Sequence, residues 1–126
     1  MNKFRAWNSK ASCMMQPSDF WISADGHAAG FNDLGHIEFT HWDLMQYTSI
    51  TDKNGVEIYE GDVADDHNGR GVVEYVQEKA AFRLNYFDNN LAKWFLDYNL
   101  RGERESIDVI GNKYENPELL ITDKEN

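Results

Sequence analysis

Residues Leu44 to Val63 set two bends inside a run of alternating apolar and polar side chains, and that arrangement commits the chain to short antiparallel strands. The first bend is Asp52-Lys53-Asn54-Gly55. Its Asn-Gly pair tolerates the left-handed backbone that a tight hairpin needs, and the Asp52 carboxylate can accept main-chain amides just downstream of itself. The second bend is Glu60-Gly61-Asp62, where short carboxylates on either side of a glycine can take backbone N–H groups and hold the turn. Val56 and Ile58 alternate with Glu57 and Tyr59 between the bends, which is the pattern of a half-buried strand.

Upstream, Phe4 and Ala6 alternate with Lys3, Arg5 and Trp7 and predict a first strand, turned at Asn8-Ser9-Lys10 into a second over Ser12 to Gln16. Pro17-Ser18-Asp19 and Asp25-Gly26 punctuate the next stretch around Phe20-Trp21-Ile22, and His27 to Gly35 reads as loop with a short strand inside it. From His36 to Thr48 the alternation is imperfect. Phe39, Trp42 and Met45 recur every three residues as on a helix, whereas the wealth of β-branched and aromatic residues favours strand. Downstream, Val63 to Asp66 and Val72 to Val76 flank a loop from His67 to Gly71, and Ala80 to Tyr86, Ala92 to Leu96 and Ser106 to Asn112 follow as strands. In the last of these, Ile107, Val109 and Gly111 alternate against Asp108, Ile110 and Asn112. Asn116 stands where it could cap a short helix with Pro117 in its first turn, so residues 116–121 are expected to be helical. Short strands separated by Gly-marked turns predict an all-β fold, a small SH3-like barrel or a sandwich, with that helix at its end.

A chain of 126 residues is expected to form one domain, residues 1–126, with amino-terminal strands over 1–50 and a barrel-like part over 44–112. No apolar run approaches the ~20 residues needed to cross a bilayer, and no hydrophobic leader follows the charged, aromatic amino terminus. The single cysteine, Cys13, cannot form an internal disulfide, which fits a reducing, cytoplasmic setting and a buried small hydrophobe. The net charge of −10 repels phosphate backbones, and no Lys or Arg occurs between Ala11 and Asp52.

Reactive constellations are sparse. His36 and His41 are five residues apart and would face opposite sides of a strand, so they do not make a metal pair. Asp65-Asp66-His67 reads as a solvated turn rather than a cation site, and Glu60 and Asp62 read as turn-holding carboxylates rather than an acid–base pair. Nucleophile elbows, phosphate-binding glycine loops and metalloprotease helices are missing, so no enzyme activity, metal or cofactor is expected. Aromatic and basic residues meet only at Phe4, Arg5 and Trp7 and around Arg83, Tyr86, Lys93 and Trp94, which leaves a nucleic-acid-associated regulatory protein as the alternative reading. The ring surface is more than one small core readily hides, and Trp and Tyr favour interface centres, so Trp21, Trp42 and Tyr47 are taken as candidate contact residues.

Gln46-Tyr47-Thr48, the Asp52-Lys53-Asn54-Gly55 turn and Ile58-Tyr59-Glu60-Gly61-Asp62, in this order, resemble the central signature of the YopX-like family of phage and prophage proteins. Lys3-Phe4-Arg5-Ala6-Trp7 is similar to that family's amino-terminal motif, and Val109 to Leu120 to its carboxy-terminal one. Two departures stand out. Ser49 occupies a position where Gly is usual, and Ala64-Asp65 replaces a more apolar pair. The resemblance implies a bacterial host cell as the setting and multi-chain assembly. It is therefore expected that the protein binds protein, as a homo-oligomer or with a host or phage partner.

Overall fold

A computed structural model describes residues 3–9, 12–16, 21–22, 28–32, 35–38, 42–87, 91–95 and 106–120, with only the backbone described for residues 21–22, 28–32, 35–38 and 42. The chain divides into two compact units, Met1–Gln46 and Tyr47–Asn126. Among the described residues the regular structure is almost wholly β, broken by short 3-10 turns and by Phe95, which is helical and ends the strand expected over Ala92 to Leu96 at Trp94.

In the first unit β1 (Phe4–Asn8) pairs antiparallel with β2 (Cys13–Met15) on one side and with the start of β6 (Trp42–Thr51) on the other. Ala6 sits between Met15 and Leu44 and is fully buried, as is Met45 next to it in β6. A second antiparallel group joins β3 (Trp21–Ile22), β4 (Ala28–Asn32) and β5 (Gly35–Glu38). Strand pairing therefore extends through Ala28-Ala29-Gly30, residues of poor strand propensity, because β3 and β5 supply the ladder partners that propensity alone does not. The strand reading of His36 to Thr48 holds for β5 and β6. The Asp25-Gly26 turn lies outside the described residues.

In the second unit the end of β6 pairs with β7 (Glu57–Tyr59), and a five-stranded antiparallel sheet follows. Its strands are β8 (Asp62–Asp66), β9 (Gly69–Val76), β10 (Ala81–Tyr86), β11 (Ala92–Trp94) and β12 (Asp108–Asn112), in the spatial order β11-β10-β9-β8-β12. The sheets curl into a half-barrel. Ala64, Val73 and Leu84 alternate onto its inner face and pack with Ile50, Ile58, Tyr86, Phe95 and Ile107, while Phe82 and Val109 close the margin. Full burial of a Leu or Ile side chain contributes ~1.5–3 kcal/mol, so these few residues dominate the stability of the unit.

Four local expectations are corrected. The loop between β8 and β9 is not five residues but two, His67-Asn68, because Asp66 pairs directly with Gly69. Gly69 takes φ +137°, and the Asp66 carboxylate accepts the Asn68 amide at 2.8 Å. Gly71 belongs to β9 and is there for packing, since a Cβ on it would lie 2.4 Å from the Asn85 carbonyl oxygen. In β12 a register shift at Ile110 breaks the alternation and brings Asn112, rather than Gly111, to a buried position. Residues Pro117–Leu120 form one 3-10 turn, and the Asn116 Oδ1 accepts the Asn112 amide at 3.2 Å instead of capping a helix. Cys13, expected inside, is exposed.

Candidate functional site

Asp52 is 6% exposed and directly follows β6. Its Oδ1 accepts the amides of Asn54 at 2.8 Å and Val56 at 2.9 Å, and its Oδ2 accepts that of Val109 in β12 at 3.0 Å. Gly55 follows with φ +80° and donates its N–H to the Asp52 carbonyl at 3.0 Å, while Lys53 donates its own to Ile107. The Asn54 Nδ2 reaches Asp108 Oδ1 at 3.3 Å, and Lys53 pairs with the other oxygen of Asp108 at 3.8 Å. One carboxylate thus closes the hairpin and pins it to a strand from the other end of the sequence.

The second bend is built alike. Asp62, 1% exposed, accepts the Tyr59 amide at 2.8 Å through Oδ2. Gly61, at φ +90°, donates to Val73 at 2.8 Å and accepts from Lys113 at 2.9 Å. Asn112, paired with Asp62 across the ladder, accepts the Tyr114 and Glu115 amides and donates to the Glu115 carboxylate. Asp52, Asn54, Gly55, Gly61 and Asp62 therefore act in the turns that the sequence assigned to them. Among the described residues, no bond gives Glu60 a comparable role.

In the Asp65-Asp66-His67 cluster both carboxylates are committed as well. Asp65 pairs with Arg70 at 2.8 Å, and Asp66 accepts both the Asn68 amide and the Tyr86 hydroxyl. Of the candidate contact residues, Tyr47 is half-buried and sets its ring 5.4 Å from that of buried Tyr59, whose hydroxyl donates to Glu57 at 3.3 Å. Trp21 lies in β3 and Trp42 opens β6, but their side chains lie outside the described residues.

A surface constellation emerges from the cross-strand register instead. Glu74, Arg83 and Trp94 stand directly opposite one another on β9, β10 and β11, on the face turned away from Val73 and Leu84. The Arg83 guanidinium donates to Glu74 and lies 5.6 Å from the centre of the Trp94 ring, and all three side chains are half-exposed. Val72, Val76, Ala81 and Ala92 flank them on the same face. Arg83 and Trp94 were visible as a basic–aromatic pair, but Glu74 was not connected with them because the link requires the β9–β10 register. On the inner side, Tyr75 and Phe82 meet edge to face at 5.1 Å, with the Tyr75 ring 39% exposed.

No curated protein matches the chain. The crystal structure of protein EF1440 from Enterococcus faecalis matches with a TM-score of 0.51 and 24% sequence identity, covering 96% of this chain and 99% of that one, a likeness of fold. The model of the family described as YopX protein matches residues 3–121, from the amino-terminal motif through both bends to the 3-10 turn. The chain belongs to the YopX family.

Proposed function

We propose that this protein is a non-enzymatic interaction module of phage or prophage type, working in the bacterial host cytoplasm and binding protein, copies of itself included. The observation that carries the reading is the contrast between its carboxylates and its outer sheet face. Asp52, Asp62, Asp65 and Asp66 are held by amides, an arginine or a tyrosine within the fold, which leaves them poorly placed to trade protons with a substrate. Trp94 and Arg83, residue types that concentrate binding energy at interface centres, are held half-exposed and oriented by each other and by Glu74. Sedimentation velocity of the full chain across the micromolar range tests this. Association that grows with concentration and is weakened in Trp94→Ala is the expected result. A monomer at every concentration, together with an unchanged partner profile for Trp94→Ala in cross-linked host cells, would refute it.

A further inference from the structure

Two Asn-Gly pairs occupy described turns, Asn54-Gly55 and Asn68-Gly69, and all four residues are exposed. In such a pair the glycine nitrogen can attack the preceding side-chain amide carbon, because glycine has no Cβ to obstruct the five-membered ring. The Gly N–Asn Cγ bond forms and the Cγ–Nδ2 bond breaks. The glycine N–H proton passes through hydroxide or buffer base to the departing nitrogen, which leaves as ammonia. Water then opens the succinimide at either carbonyl to give aspartate or isoaspartate, with no change of oxidation state.

The two sites differ in what the product would do. Around Gly55 there is open space, and ring closure at Asn54 needs only the release of two bonds at an exposed turn, Gly55 N–H to Asp52 and Asn54 Nδ2 to Asp108. The product replaces the amide donor that faces Asp108 with a carboxylate, turning an attraction into a like-charge contact beside an acid already shared with Lys53. Isoaspartate also lengthens the main chain between two amides that Asp52 Oδ1 holds at 2.8 and 2.9 Å. The turn at Asn68, in contrast, joins adjacent strands and carries no bond to β12 among those of its described backbone.

We infer that Asn54 is a self-modification site whose conversion to aspartate or isoaspartate loosens the β6–β7 turn from β12. The test incubates the full-length chain at mildly alkaline pH and follows both Asn-Gly peptides by mass spectrometry, with hydrogen exchange read at the Lys53 and Val109 amides. Accumulation of acid at position 54, with faster exchange at those two amides, is expected. Asn54→Asp should reproduce the faster exchange, Asn68→Asp should leave it unchanged, and Asp108→Asn in the Asn54→Asp background should restore it. An Asn54 that stays amidated while the denatured chain converts would overturn the inference. So would Asn54→Asp with wild-type exchange at Val109, and the incubated wild-type chain supplies the answer if that variant does not fold.

Discussion

Asp52 shows how one side chain can determine a connection that no local pattern specifies. Its carboxylate has three amide donors, two from its own hairpin and one from β12, and hydrogen bonds to a charged acceptor contribute more than neutral ones. Asp52→Ala leaves three part-buried amides short of a partner and should cost ~2 kcal/mol, whereas Asp52→Asn keeps the shape and one good acceptor and should cost about half as much. Urea denaturation of the two variants measures the difference, and equal losses would mean that the charge is irrelevant. Ser49 carries the opposite lesson. It is exposed and sits at φ +71° in an irregular stretch of β6, where Tyr47 pairs with Tyr59 and Thr51 with Glu57. The Thr48 hydroxyl fills the gap by donating to Ile58 at 2.8 Å. A left-handed backbone explains why glycine is usual at this place in the family resemblance, and Ser49→Gly should stabilise the chain by about 0.5–1 kcal/mol through relief of that strain. A lowered urea midpoint would show that the entropy lost by glycine outweighs it.

The elements were legible where their chemistry is local. Both bends, β1, β2, β7, β8 and β10 follow from alternation and turn residues, because each is specified within a few positions. Features set by distant partners were not. Gly71 looked like a loop glycine because its reason for being glycine, the carbonyl of Asn85 on the next strand, is fourteen residues away. The shift at Ile110 arises from the fit of β12 to β8, and β4 is held as a strand between β3 and β5. The same limit applies to the candidate site: Arg83 and Trp94 stand out in the sequence as a basic and an aromatic residue, but Glu74 joins them only through strand pairing. These positions predict a graded pair of substitutions. Gly71→Ala drives a Cβ into main chain that cannot yield without disturbing β10, and a loss of ~3 kcal/mol or outright failure to fold is expected. Gly111→Ala meets the Asn116 and Leu119 side chains at 2.5 and 2.8 Å, which can rotate aside, so its loss should be smaller. Thermal melts of the two variants decide the ranking, and a milder effect at Gly71 would contradict the packing role assigned to it.

At the scale of the whole molecule, charge bears on the proposal that the partner is protein rather than nucleic acid. The net charge of −10 opposes approach to a phosphate backbone, and four of the described cations of the second unit already have partners. Lys53 pairs with Asp108, Arg70 with Asp65 and Arg83 with Glu74, while Lys113 lies 5.2 Å from the ring of Tyr114. A nucleic acid bound across Trp94 would have to displace Glu74 from Arg83 before gaining a phosphate contact, and would release few counterions in return. The full chain should therefore leave single- and double-stranded oligonucleotides unshifted in low-salt electrophoresis. Removing the competing carboxylate by Glu74→Gln should create at most a weak affinity that vanishes at physiological ionic strength, where exposed charges are screened beyond about 8 Å. Tight binding by the wild-type chain, declining steeply with added salt, would identify phosphate as the true ligand of the Arg83–Trp94 face and displace the protein-binding reading.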